Sequence, residues 1–252
     1  MPQAIPDTPY CGAPPPPGGA AWNPDPWLMG VLLVGLLLAW GPAGRGGDRR
    51  ALLAGWAVLA VALLSPLCNL SVALFSARIG QHIILLVAAA PLLALGLRVP
   101  RRLASPGALA MAAGIFAVAL WAWHLPGPYG ATFRSDLAYW AMQASLVGAA
   151  TWLWRGLLVG VAERPDAALL AGLATAAQTG ALGALLTFAP RSLFAEHTLT
   201  AQPWGLTPLE DQQLGGLLMW VPGGLAFAGV ALPALARTLR GGGAIALPRP
   251  RA

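Results

Sequence analysis

The stretch Leu74–Gly96, LFSARIGQHIILLVAAAPLLALG, decides the fold of this chain. It is long and apolar enough to cross a bilayer, for which a helix needs roughly 20 mostly apolar residues. Its first half nevertheless contains Arg78, Gln81 and His82. Arg78 and His82 are four residues apart and therefore lie on one face of a helix. Because ionisable residues at membrane depth usually face the bundle interior and serve a function, the stretch predicts a membrane protein with a buried polar site.

Composition predicts the same environment for the rest of the chain. Of the 252 residues, 57% are apolar and 10% are charged, and the mean hydropathy is +0.66. Such values are typical of membrane proteins. Apolar stretches of spanning length, each bounded by turn residues or charges, occur at 27–43, 51–69, 73–97, 107–125, 137–159, 166–189 and 214–236.

The predicted fold is an all-α polytopic bundle of about seven transmembrane helices. It divides into a Pro-rich tail (1–26), a membrane domain (27–236) and a basic tail (237–252). The first tail has neither a basic nor an apolar region of the kind that signal peptides carry. Its proline run predicts an extended, exposed segment.

The arginines predict the orientation. All fifteen basic residues are arginines, and apart from Arg78 they divide twelve to two between the two sides of the predicted bundle. By the positive-inside rule, the N-terminus is outside and the C-terminus is cytoplasmic. The basic pI therefore reflects topology and predicts no nucleic-acid partner. The larger group is Arg45, Arg49, Arg50, Arg98, Arg101, Arg102, Arg155, Arg164, Arg237, Arg240, Arg249 and Arg251, and the smaller group is Arg134 and Arg191.

The three histidines and two cysteines all fall outside or in the outer half of the predicted membrane domain. Thiol, thioether and imidazole groups suit copper, particularly Cu(I). Candidate metal ligands are therefore His82, His124, Met219, Cys68 and Cys11.

Other roles remain open for these residues. The two cysteines are equally compatible with a disulfide that pins the tail over the bundle. A membrane methionine usually packs, and His124 also suits a simple interfacial position. His197, in the predicted outer loop, is expected to be inert.

Three polar side chains are predicted to support the site within the membrane: Arg78, Gln81 and Gln143. The alternatives are that Arg78 extends to the interface and that Gln143 makes an interhelical hydrogen bond. Gly172, Ala176 and Gly180 recur at four-residue spacing and predict a close helix contact.

The segment before the last span, LTPLEDQQLGG, predicts a docking or cation-holding lip. Acids suit the positive N-terminus of a helix, and capping alone would require one of them. The predicted lip comprises Glu210, Asp211, Gln212 and Gln213. Pro222, with Gly223 and Gly224, is expected to interrupt the helix that follows.

Several of these segments resemble one protein family. They are YCGAPPPP (10–17), DPW (25–27), SPLCNLSVALFSARIGQHIILLVAAAPLLALG (65–96), WHLPGPYGATFRSDLAYWAMQ (123–143) and LTPLEDQQLGGLLMWVPGGL (206–225). Together they resemble the CtaG family of multi-pass cytochrome c oxidase assembly proteins. The matching positions are His82, His124 and Glu210 through Gln213. The family pattern also implies histidines at the position of Arg78 and near Gln143, and this chain has neither.

The resemblance implies a non-enzymatic assembly factor of the bacterial plasma membrane. It would contact cytochrome c oxidase subunits and handle copper at the outer face. For His82 and His124 to share a metal, the third span must begin near Phe75 or tilt. The alternatives are a metal or solute transporter, a haem-binding protein with the two histidines as axial ligands, and a metal-free scaffold; a homo-oligomer is left open.

Overall fold

The computed structural model describes residues 8–41, 47–97 and 105–242, which contain helices and no strands. Five helices are long and apolar enough to span a membrane: Phe75–Gly96, Pro106–Trp123, Asp136–Glu163, Pro165–Phe188 and Pro208–Arg240. A sixth candidate is the pair Arg49–Leu64 and Pro66–Ala73, and the Pro26–Trp40 helix is shorter. The predicted all-α membrane bundle is thus confirmed with five or six such helices, whereas a seventh span stays a prediction.

The helices are numbered in chain order. They are α1 (Pro26–Trp40), α2 (Arg49–Leu64), α3 (Pro66–Ala73), α4 (Phe75–Ile83), α5 (Ala90–Gly96), α6 (Pro106–Trp123), α7 (Pro126–Ala131), α8 (Asp136–Glu163), α9 (Pro165–Phe188), α10 (Pro208–Leu218) and α11 (Gly224–Gly242). Short 3₁₀ turns cover Ala195–His197 and Gln202–Trp204. We use "tail side" for the side of the bundle that carries residues 8–25.

The predicted span at 51–69 corresponds to a bent pair of helices, because the chain turns by 49° between α2 and α3. Ser65 has an extended backbone, and its hydroxyl accepts a hydrogen bond from the Leu67 N–H at 3.4 Å. Pro66 follows as the first residue of α3, a position where the missing N–H costs nothing. The bend places Cys68 and Asn69 beneath the N-terminal tail, where both contact it.

The N-terminal tail is extended, as predicted, but it is tied to the bundle. Cys11 is buried and forms a disulfide with Cys68. The Asn69 side-chain amide donates to the carbonyls of Cys11 and Ala13 at 2.9 and 2.8 Å. The Trp204 indole donates to the Pro15 carbonyl at 3.2 Å. The predicted exposure therefore holds for only part of the tail, because Cys11 and Pro15 are buried.

Small residues allow α9 to approach its neighbours closely, as their spacing predicts. A Cβ on Gly172 would lie 3.4 Å from the Phe227 carbonyl oxygen and 3.6 Å from the Ala231 Cβ, both in α11. The approach to α10 is closer still. A Cβ on Gly216 would lie 2.7 Å from the Gly183 carbonyl oxygen, so this contact excludes any larger residue.

Two helices contain a wide π-helical turn. One covers Ile84–Ala89 and joins α4 to α5, and the other covers Met219–Gly223 and joins α10 to α11. The second contains Pro222, which has no N–H and clashes with the carbonyl four residues earlier in a regular helix. The predicted interruption is therefore a wider turn within a continuous helix. In the first, the Leu86 carbonyl accepts a hydrogen bond from the Trp154 indole at 2.7 Å.

Part of the arginine pattern lies outside the described residues, namely Arg45, Arg98, Arg101, Arg102, Arg249 and Arg251. Most of the predicted basic tail (237–252) also lies there. The orientation therefore stays a prediction.

Candidate metal centre

His82 and His124 come together in the interior of the bundle. Their ring centroids are 6.1 Å apart, and each side chain is 4% exposed. Two imidazoles that bind one ion through nitrogens at about 2.0–2.1 Å have centroids at most roughly 6.4 Å apart. The pair is therefore spaced for a shared metal ion.

The residue at which α4 begins determines the position of His82 along the axis of the bundle. Leu74 has an extended backbone and offers no side-chain cap, so α4 begins at Phe75. The start at Phe75 is the one that a metal shared by His82 and His124 was predicted to require.

His124 lies where α6 ends. Leu125 precedes Pro126 and adopts the extended backbone that a following proline favours, so the chain leaves the helix at this point. The His124 Nδ1 atom lies 2.6 Å from the Leu120 carbonyl oxygen. Because a carbonyl oxygen only accepts, Nδ1 carries the proton and donates it. In a neutral ring, Nε2 then keeps its lone pair, which is the arrangement of a metal-binding histidine.

A cavity of about 30 Å³ lies between the two histidines and Met219. A single water needs roughly 10–15 Å³ on the same measure, so the cavity suits an ion or one or two small molecules. Pockets for cofactors occupy roughly 300–1,000 Å³, so a haem does not fit this space. The lining residues are Ile79, His82, Ile83, Leu86, Val87, Phe116, Leu120, His124, Thr179, Met219, Gly223 and Phe227.

The hydrogen-bonding pattern sets this centre apart. Within the described residues, every buried side-chain nitrogen or oxygen that lacks a partner belongs to Arg78, Gln81, His82, His124 or Gln143. In His82 both ring nitrogens lack a partner, and in His124 only Nε2 does. Buried polar groups in native proteins are nearly always paired, so such a cluster needs an explanation such as a bound ion.

The sulfur candidates divide into two groups. Met219 is 4% exposed and lines the cavity, so its thioether is available to an ion there. Cys11 and Cys68 are bonded to each other, and the Tyr139 hydroxyl lies 3.5 and 3.7 Å from their sulfur atoms. The prediction that these cysteines are ligands is corrected to the disulfide alternative, because neither offers a thiolate in this structure. No group of three or more His, Cys, Asp or Glu side chains in the described residues is arranged to hold a metal.

The polar supports also contact the bundle around the centre. The Gln81 amide donates to the Ala62 carbonyl at 2.8 Å. Arg78 is 1% exposed, so it does not extend to the interface. Its Nη1 donates to the Thr132 hydroxyl at 2.6 Å, and its guanidinium lies over the Phe133 and Tyr129 rings.

The four predicted lip residues do not form a common surface. Glu210 is exposed and completes a capping box with Thr207. Asp211 is fully buried and accepts from the Phe75 N–H at 2.6 Å and from the Ser76 N–H at 3.0 Å.

Gln212 is also buried. It accepts from the Leu193 N–H at 2.6 Å and donates to the Leu186 carbonyl at 3.1 Å. Gln213 is half-buried. The prediction of a docking lip at Glu210, Asp211, Gln212 and Gln213 is therefore corrected. The polar groups of the two buried residues make hydrogen bonds to the backbone of other segments. Nothing in the sequence indicated that these residues are buried.

His197 was predicted to be an inert residue of an outer loop, but it is buried and structural. It is 1% exposed, its Nε2 lies 2.6 Å from the Tyr129 hydroxyl and its Nδ1 lies 3.2 Å from the Ala73 carbonyl oxygen. The carbonyl only accepts, so Nδ1 donates to it and Nε2 accepts from Tyr129. Burial, with a smaller effect of the Arg78 charge, lowers the pKa of His197 to about 3.

A helical bundle of membrane-spanning length around a buried polar centre defines a polytopic membrane protein. Residues 27–241 match the family model described as cytochrome c oxidase caa3 assembly factor (Caa3_CtaG). The chain therefore belongs to this assembly-factor family, which confirms the resemblance in the sequence. The family suggests a non-catalytic role and an interaction with oxidase subunits. No curated protein and no solved structure matches the chain.

Proposed function

We propose that this assembly factor binds Cu(I) between His82 and His124 and passes it to a cytochrome c oxidase subunit during assembly. The observation that carries the proposal is the pair of buried imidazoles, whose ring centroids are 6.1 Å apart. Both ring nitrogens of His82 and the Nε2 of His124 have no protein partner. Met219 supplies a third, soft ligand at the same cavity. Neutral nitrogen and thioether ligands favour Cu(I) over harder ions.

The ligand set also suits transfer. Two or three neutral ligands lack the negative charge with which thiolates attract a metal ion. The ion can therefore move to a partner protein whose site has more sulfur ligands. The wide turn at Met219–Gly223 places one ligand on a segment whose hydrogen bonding departs from that of a regular helix. We infer that Met219 is the ligand that leaves first.

We also propose that the centre lies toward the outer face of a bacterial plasma membrane. In this arrangement α1 and the bent α2–α3 pair cross the membrane with the other five helices, which gives seven spans. The arginine distribution then places the N-terminus outside and the C-terminus in the cytoplasm. The Cys11–Cys68 disulfide supports this orientation, because disulfides persist on the oxidising side.

Copper bound per chain tests the proposal. Detergent-purified protein is loaded with Cu(I) under reducing conditions, and the native sequence is compared with His82→Ala and His124→Ala. We expect about one equivalent in the native protein and none in either variant. His197→Ala is the matched control, because both nitrogens of this buried histidine have protein partners.

The result separates copper handling from a metal-free scaffold. Copper that stays bound in both His82→Ala and His124→Ala contradicts the proposed site. A native protein that binds no Cu(I) contradicts direct copper handling, and it would leave assembly without metal as the function of the family fold.

A further inference from the structure

Arg78 is a buried cation that forms no ion pair within the described residues. The ion pair that the described residues contain joins Arg134 to Glu196 at 3.7 Å, and Arg78 takes no part in one. Its partners are the Thr132 hydroxyl and two aromatic rings, whose centroids lie 4.2 Å (Phe133) and 5.1 Å (Tyr129) from the guanidinium carbon. Its Nε has no partner. A hydrogen bond and ring contacts offset only part of the cost of burying a charge.

This charge lies beside the proposed copper site. Arg78 and His82 are one turn apart on the same face of α4, and both are buried. Thr132 and Phe133, which hold the guanidinium, belong to the segment that follows His124.

The buried carboxylate of Asp211 forms no ion pair with Arg78. Asp211 binds the N–H groups of Phe75 and Ser76 at the first turn of α4, whereas His82 lies at the other end of that helix. Along α4, Arg78 therefore lies between the two residues that Asp211 binds and His82.

We propose that Arg78 makes the His82–His124 site selective for monovalent ions, so that it accepts Cu(I) and rejects divalent ions such as Zn(II) and Cu(II). This inference rests on the proposed copper-handling function and names the residue that selects the ion. The ligands are neutral, so no anion offsets the charge that the ion brings. A divalent ion is repelled by Arg78 twice as strongly as a monovalent one. For a separation of about 8 Å and an effective dielectric constant of about 20, the extra repulsion corresponds to roughly 30-fold in affinity.

The test compares ion preference in the full-length, detergent-purified protein and in Arg78→Gln and Arg78→Lys. Cu(I) affinity is measured by competition with a chromophoric Cu(I) chelator, and Zn(II) and Co(II) affinities by equilibrium dialysis. We expect Arg78→Gln to raise divalent affinity relative to Cu(I) by at least about 10-fold. Arg78→Lys keeps the charge and is expected to keep the native preference.

A further variant keeps the result interpretable if Arg78→Gln does not fold, and another serves as a control. Thr132→Asp places a carboxylate on the residue that Arg78 contacts, so it neutralises the charge without removing the arginine. It is expected to raise relative divalent affinity as Arg78→Gln does. Arg134→Gln is the control, because this arginine is 65% exposed and its loss is expected to leave ion preference unchanged.

The outcomes distinguish this inference from the function on which it rests. If the native protein binds Cu(I), and Arg78→Gln or Thr132→Asp leaves the Cu(I)-to-divalent ratio unchanged, the selectivity inference is overturned and copper handling stands. If the native protein binds neither Cu(I) nor a divalent ion, both are overturned. A raised divalent affinity in Arg78→Gln and Thr132→Asp, but not in Arg78→Lys, supports the inference.

Discussion

Two polar regions of the molecule differ in how their hydrogen-bonding groups are used. On the tail side, the carboxylate of Asp211, the amide of Gln212 and both ring nitrogens of His197 have protein partners. In the proposed metal centre, His82 has no partner for either ring nitrogen and His124 has none for Nε2. Both regions are buried, so burial does not distinguish them. The difference indicates that the tail-side groups stabilise the fold, whereas the free nitrogens are available to an ion.

This comparison makes opposite predictions for substitutions in the two regions. On the tail side, loss of a polar side chain leaves other buried groups unpaired and lowers stability. In the proposed metal centre, loss of either imidazole is expected to remove ion binding, and loss of the His82 ring leaves no hydrogen-bonding partner behind.

The largest effect on stability is expected for Asp211→Ala. The substitution leaves the Phe75 and Ser76 N–H groups and the Ser76 hydroxyl without their acceptor. Each unpaired buried donor costs about 1–3 kcal/mol, so the free energy of unfolding should fall by about 5 kcal/mol. Unfolding in detergent, followed by tryptophan fluorescence, measures the loss. Glu210→Ala is the control because its side chain is exposed, and a similar loss in this variant would contradict the assignment.

A smaller loss is expected when the disulfide is removed in Cys11→Ala/Cys68→Ala. The bond closes a loop with a sequence separation of 57 residues, and a disulfide of this kind typically contributes about 2–4 kcal/mol. The Cu(I) stoichiometry should stay unchanged, since the bonded sulfurs are not ligands. Copper loss in the double variant, at a temperature where it remains folded, would return the cysteines to the site.

The third prediction concerns pH and His197. Its folded pKa, about 3, lies below the ordinary value of 6.5, so the neutral form is favoured by folding. The contribution to stability is complete above about pH 6.5 and is lost as pH falls toward 3, with a loss of about 2 kcal/mol near pH 5. The experiment compares unfolding near pH 7.5 and near pH 5 in the native protein and in His197→Gln. The variant should be less stable at both pH values but lose less between them. An equal pH-dependent loss in both proteins would show that other groups cause it.

The smallest effect on stability is expected for His82→Leu. The substitution removes no hydrogen bond, because neither ring nitrogen has a partner. The free energy of unfolding should change by less than about 1 kcal/mol, while Cu(I) binding is lost. His124→Leu should also abolish binding but destabilise the protein more, because it leaves the Leu120 carbonyl oxygen unpaired. A His82→Leu protein that is as unstable as Asp211→Ala would contradict the comparison between the two regions.

Much of the fold could be predicted because the apolar stretches are long and their ends contain Pro, Gly or charge. Where one stretch contained Ser65-Pro66, the sequence did not show that the chain would resume at an angle. The extended backbone of the tail followed from its prolines, and a disulfide that pins it was one of the roles left open for the cysteines. Its further attachment through Asn69 and Trp204 did not follow, because both residues are far from it in sequence.

The candidate site was predictable to the extent that polar residues are conspicuous in apolar stretches. Arg78, Gln81 and His82 stand out for this reason. The segments that resemble the family, taken in order along the chain, linked them to His124. Asp211 and His197 lie in polar segments that resemble ordinary loops, so nothing local showed that they are buried. Their roles depend on partners in α3, α4 and α7, and only the folded structure brings these together.

The wide turns at Ile84–Ala89 and Met219–Gly223 have a consequence for how this chain tolerates change. A π turn is equivalent to a regular helix with one residue inserted. One residue corresponds to about 100° of rotation about the helix axis. The turn therefore rotates the half of the helix that follows it by about 100° relative to the half that precedes it. Deleting a single residue within either turn would restore a regular helix and rotate one half against its neighbours. A one-residue deletion in a loop can be harmless. Within either of these turns, it would rotate Met219 or an entire helix face away from its present contacts.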